Sequence, residues 1–156
     1  MAIEKVYNYL EKFGLENKIL EFDTSSATVE LAAKAAGVCE GRIAKTLSFK
    51  SDNGCILIVT SGDSKIDNKK FKHTFGIKAK MLTPDEVLFY TGHAVGGVCP
   101  FAIENKDVKI YLDESLKRFE TVYPACGSSN SAIELDTDTL FKISHASDYV
   151  DVAKYE

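Results

Sequence analysis

The stretch from Lys45 to Thr60 constrains the fold more than any other part of the chain. Lys45-Thr46-Leu47-Ser48-Phe49-Lys50 alternates between two faces, and Cys55–Thr60 is a continuous apolar run. Asp52-Asn53-Gly54 supplies the turn between them, because asparagine and glycine tolerate the positive φ that tight hairpin turns require. Two strands joined this closely pair with each other and leave side chains on both faces to be covered.

Helical signals surround the hairpin. Ile3, Val6, Tyr7, Leu10 and Phe13 recur at helical spacing and predict an amphipathic helix over residues 2–13, closed by Gly14. Ile19, Leu20 and Phe22 mark a short strand. Thr28 reads as the N-cap of a helix through Ala36 that stops at Gly37. A short turn at Glu40–Ala44 leads into the hairpin. Asp67–Phe75 predicts a helix ended by Gly76. Thr83-Pro84-Asp85-Glu86 combines a cap, a proline and an acid, and starts a helix to about Tyr90, with Gly92 as its stop. Strands are expected at residues 108–112, 119–123 and 131–135, and a last helix near 137–142. The pattern predicts one domain over residues 1–156 of the α/β class (α+β type), with a mixed, mostly antiparallel sheet and packed helices. A doubly wound parallel sheet is the alternative.

With 45% hydrophobic and 27% charged residues, the chain is a folded globule and global disorder is excluded. No apolar run approaches the roughly 20 residues that span a bilayer, so no membrane partner is expected. MAIEKVYNYLEKFG carries charge through its apolar positions and does not read as a secretory signal, so the expected location is cytoplasmic. Cys39, Cys55, Cys99 and Cys126 lie far apart without a CxxC, and the three histidines form no HExxH. Free, mostly buried thiols and no metal site follow. His93 and His145 are expected at surface or capping positions. The net charge of −4 argues against avid, sequence-blind nucleic-acid binding. Between Lys65 and Lys80, however, six lysines stand against one acid, Asp67. Such a run is either a solvated helix face or a surface for a phosphate backbone.

Three features can carry chemistry. Strand alternation puts Lys45 on the face of Leu47 and Phe49, where a lysine needs a partner or must snorkel out. Gly92-His93-Ala94-Val95-Gly96-Gly97-Val98-Cys99-Pro100-Phe101 is either a tight structural turn or a loop whose backbone N–H groups hold a carbonyl oxygen or carboxylate. It matches neither a Walker loop nor a dinucleotide fingerprint. Cys126-Gly127-Ser128-Ser129-Asn130-Ser131 suits a polar loop against ester or ribose oxygens, or an ordinary turn. No GxSxG elbow accompanies it, so a serine nucleophile is not supported.

Taken in order, these pieces resemble the YbaK/prolyl-tRNA synthetase-associated editing-domain family. They are Ala27-Thr28-Val29-Glu30 with Ala32-Ala33, Ile43-Ala44-Lys45-Thr46-Leu47, Gly62-Asp63, and Gly92-x-x-x-Gly96-Gly97-Val98-x-Pro100-Phe101. Tyr111-Leu112-Asp113-x-Ser115-Leu116 and Gly127 with Ile133-Glu134-Leu135 complete the set. The resemblance implies a YbaK-like domain that hydrolyses mischarged tRNA in trans, usually tRNA(Pro) carrying a small wrong amino acid such as alanine or cysteine. It implies no metal and no nucleotide cofactor. Its partners would be the tRNA acceptor end and prolyl-tRNA synthetase. Lys45, Gly96 and Gly97 would be catalytic. Phe22, Thr28, Thr46, Gly92, Val98, Cys99, Pro100, Gly127, Ser128 and Ser129 would bind substrate. In that scheme Lys45 holds the phosphate or terminal-adenosine end, the Gly96-Gly97 backbone holds the carbonyl and water, and the substrate's neighbouring hydroxyl assists. The chain departs from the family pattern at Ala102, where many members have glycine, at Ala132, where the cysteine-clearing branch has an acid, and at Ala125-Cys126-Gly127. A non-catalytic tRNA- or synthetase-binding module of the same fold is the alternative.

Overall fold

The computed structural model describes residues 2–155. At its centre is the hairpin of β2 (Ile43–Ser51) and β3 (Gly54–Ser61), paired without interruption from Ala44↔Ser61 to Ser51↔Gly54. Neither Asn53 nor Gly54 takes the positive φ expected of the turn; Gly54 is needed for packing, since a Cβ there would lie 2.1 Å from the Asp107 carbonyl.

Every residue of β3 is buried, which explains why its sequence is a continuous apolar run rather than an alternation. The reason is its position. The large sheet is ordered β8-β6-β2-β3-β5-β9, with β5 at Val108–Asp113, β6 at Thr121–Pro124, β8 at Leu135–Asp136 and β9 at Asp148–Val150. Pairing of β3 with β5, β5 with β9 and β2 with β6 is parallel, whereas β6 with β8 is antiparallel. Two small antiparallel ribbons flank the sheet: β1 (Ile19–Glu21) with β7 (Ser131–Ile133), and β4 (Ser64–Ile66) with β10 (Ala153–Tyr155). Antiparallel contacts cover most paired residues, as expected, yet the large sheet itself is mixed. The stretch expected as one strand at 131–135 is two, because Ile133 pairs with Ile19 while Leu135 turns to Val122.

Helices cover both faces. On one, α3 (Asn68–Phe75) sets Phe71 and Phe75 against Phe49, Ile56 and Ile58. On the other, α4 (Pro84–Thr91) packs Val87 with Leu82 against Cys55 and Leu57. Beside it, α1 (Ala2–Glu11) and α5 (Thr137–Ile143) bury Val6, Leu10, Leu140 and Ile143 with Val59 and Leu112. The caps form as expected: Thr83 and Glu86 make a reciprocal capping box, and Gly37, Gly76 and Gly92 end their helices at positive φ. Among the described residues no helix is long and apolar enough to cross a membrane.

Candidate active site

A cavity of about 450 Å³ lies beside β2 on the α4 face. It is bordered by α2 (Val29–Ala36) through Thr28, Val29 and Ala32, by Pro84 and Val87, by Val95, Gly96 and Val98 of the glycine loop, and by Ser131 and Ala132. Its walls are mainly apolar, the usual makeup of a small-molecule site.

The exception is the edge of β2. The ladder to β6 covers only Ile43 and Ala44. Further along, the Lys50 N–H donates to the Lys80 carbonyl at 2.8 Å, and the Ser48 carbonyl accepts from the Leu82 N–H at 3.2 Å. Alternate residues of a strand direct their main-chain groups to the same side. The amide and carbonyl of Thr46 therefore point into the interval between these two attachments, where no strand among the described residues covers them. The Thr46 side chain borders the cavity and is 9% exposed, and its Oγ1 has no hydrogen-bond partner among the described residues. Thr46 is thus an unsatisfied polar position set in an apolar wall.

Lys45 also borders the cavity, but its ammonium goes the other way. It is half-buried on the α3 side, in line with Leu47 and Phe49, and donates to the main-chain carbonyl of Ser64. Alternation correctly marked it as a lysine needing a partner.

The two loops meet back to back. Gly96 borders the cavity at φ 100, and a turn closes where the Gly97 N–H donates to the Ala94 carbonyl at 3.1 Å. A Cβ on Gly97 would lie 2.7 Å from the Ser128 nitrogen and 2.8 Å from its Cα, so the glycine lets the two backbones touch.

The aminoacyl-tRNA editing domain family matches residues 23–143, a span that contains every residue lining this cavity. The chain belongs to that family. Over 155 residues it is 54% identical to the uncharacterized protein YwhH of Bacillus subtilis, covering 99% of this chain and 98% of the relative. It is 32% identical over 134 residues to a proline–tRNA ligase of Halalkalibacterium halodurans, covering 84% of this chain but only 22% of the ligase. A solved structure described as that of a candidate trans-editing enzyme for prolyl tRNA synthetase superposes with a TM-score of 0.88 at 30% identity, over 98% of this chain and 97% of that one.

Within the editing domain, the residues singled out from sequence fall into two groups. Lys45, Thr46, Thr28, Gly96 and Val98 come together at the cavity. Thr28 also caps α2, its hydroxyl accepting from the Leu31 N–H. The others do not line it. Gly92 ends α4. Gly97 and Ser128 form the contact between loops. The Ser129 carbonyl accepts the Ser26 N–H at 2.6 Å, and Phe22 donates its N–H to the Asn130 carbonyl at 2.7 Å, so both tie the serine loop to the chain before α2. Gly127 adopts φ 89 in that loop. Pro100 borders a separate, smaller cavity with Tyr9 and Ala102. Cys99 is completely buried, and burial pushes its thiol up to about 12, so it packs rather than reacts.

His93 is a correction. Expected at a surface or cap, it is completely buried; its Nε2 lies 2.8 Å from the Phe101 carbonyl and 3.6 Å from Cys99 Sγ, and burial lowers its pKa. It staples the two ends of the glycine loop. The pattern rule failed because it looked for metal-spaced partners, and His93 has a main-chain one. Sequence reading also missed Ser26, Met81, Val87 and Val95 as cavity residues. It missed Ala44 and Ser48 too, although their place on the Thr46 face was a signal that could have found them.

Proposed function

We propose that this editing domain is a trans-acting deacylase that hydrolyses the ester of mischarged tRNA(Pro) carrying a small wrong amino acid. The observation that carries the reading is the unpartnered Thr46 position in a mainly apolar cavity bordered by Lys45 and Gly96. The kinship with part of a proline–tRNA ligase supports the choice of tRNA. The enzyme acts in the cytoplasm, where prolyl-tRNA synthetase releases its product.

An aminoacyl ester brings an ammonium, a carbonyl and a small side chain. The Thr46 carbonyl and hydroxyl suit the ammonium, the apolar walls limit the side chain, and the Gly96 backbone leaves room for the ester carbonyl. Water attacks the carbonyl carbon, the bond from that carbon to the ribose oxygen breaks, and the proton lost by the water ends on the released ribose hydroxyl. The neighbouring ribose hydroxyl assists that transfer. Lys45 has its ammonium on the α3 side of the strand. That side suits a phosphate or the terminal nucleoside, so Lys45 holds the substrate in register.

The test offers purified protein a panel of misacylated tRNA(Pro) and measures ester loss. Cleavage of at least one member is expected, and Lys45→Ala should lose about a hundredfold in kcat/KM, the scale of a lost charged contact. Hydrolysis by Lys45→Ala at the wild-type rate removes Lys45 from the site. A panel left wholly intact favours a non-catalytic tRNA- or synthetase-binding module.

A further inference from the structure

Residues 64–81 carry six lysines and one acid on a chain of net charge −4. That one acid is already engaged: Asp67 caps α3, accepting the N–H groups of Lys69 and Lys70 at 3.0 and 3.1 Å. Lys70 pairs with Asp151 at 3.0 Å. The remaining five, Lys65, Lys69, Lys72, Lys78 and Lys80, are exposed, and among the described residues none has a salt-bridge partner. Lys65 of β4 also stands directly opposite Lys154 of β10. Like charges in cross-strand register are destabilising, and Asp67, whose carboxyl feels both Lys70 and Lys154, is the acid shared by the group. A surface made only for solubility would intersperse the two signs.

Both ends of the run adjoin residues that border the cavity. Lys45 donates to the Ser64 carbonyl, one residue before Lys65. Lys80 precedes Met81, which borders the cavity and is 57% exposed. A polyanion held along the run would pass next to Lys45 and Met81, which border the cavity.

We propose that this lysine face binds the phosphate backbone of the tRNA acceptor arm while the 3′ end enters the cavity. The inference rests on reading that cavity as a deacylase site. Condensed counterions released by such contacts make binding steeply salt-dependent.

The experiment compares wild type with the K69E/K72E/K78E variant on two substrates: misacylated tRNA(Pro), and the same amino acid esterified to adenosine, which has no phosphate. For tRNA, kcat/KM of the variant should fall about tenfold or more at roughly 0.1 M salt, and its log–log salt slope should flatten by about 2 to 3. For the adenosine ester the two proteins should agree within about twofold, the scatter left when no phosphate contact is at stake. An unchanged tRNA slope overturns the proposal, including the case in which an acidic protein partner loses affinity instead. Equal losses on both substrates also overturn it. Binding of uncharged tRNA, followed by fluorescence anisotropy, separates the two readings. A salt slope lost in the variant supports the face even where no ester is cleaved. An unchanged slope beside normal cleavage overturns the face and leaves the deacylase standing.

Discussion

The two walls of the cavity, β2 and the glycine loop, are built in opposite ways. β2 is held by its full ladder to β3, and what it offers a ligand is what its other edge leaves unpaired around Thr46. The loop uses several of its polar groups internally, although the buried His93 Nδ1 has no partner among the described residues. Gly97 donates to Ala94, His93 reaches the Phe101 carbonyl, and the His93 N–H is taken by Thr91 Oγ1 at 3.0 Å. What it shows the cavity is Val95, Gly96 and Val98. A glycine-rich loop beside a site is therefore no guarantee of a cradle of free N–H groups. Here one glycine of the pair answers to backbone packing, and the strand supplies the polarity.

The largest test strikes the loop. Gly97→Ala forces a Cβ to 2.7 Å from the Ser128 backbone, where no side chain can yield. We expect about 2–3 kcal/mol of lost stability in urea unfolding, the cost of overpacking a rigid site, with deacylation falling as the wall moves. A variant as stable as wild type would mean that the loops separate easily, and the contrast between rigid walls would fail.

The next strikes the strand. Thr46→Val keeps the shape and removes a buried hydroxyl without a partner. Leaving such a group unpaired costs about 1–3 kcal/mol, so the variant should gain roughly 1 kcal/mol of stability while losing about tenfold in kcat/KM. Loss of stability instead would show that Thr46 is bonded internally and that the strand edge holds nothing in reserve.

This contrast also explains what the sequence could reveal. Lys45 was conspicuous because alternation put a charge among Leu47 and Phe49, a local property. Thr46 entered only through the family resemblance, because its meaning depends on where β6 stops and residues 80–82 begin, a matter of strands distant in the chain. The hairpin and helix caps were legible for the same local reason. The short strands β4, β9 and β10 were not, since three residues carry too little periodicity and form through partners elsewhere. Cys99 and Pro100 entered the proposed site by motif position, which does not say which way a side chain points; Cys99 turns into the core.

The smallest test lies where the loop ends. Ala102 keeps φ 58. That is the left-handed region, in which a Cβ crowds the following carbonyl at a cost of about 1–2 kcal/mol. Glycine would remove the strain but adds freedom to the unfolded chain, so Ala102→Gly should stabilise the protein by only about 0.5–1 kcal/mol. Ala102 faces the smaller cavity with Tyr9 and Pro100, not the one beside Thr46. Deacylation should therefore stay within about twofold of wild type if the wall at Val95–Val98 is fixed by Gly97 and His93. A gain in stability with a clear change in kcat/KM would show that strain at Ala102 reaches the cavity, making the loop a yielding wall rather than a fixed one.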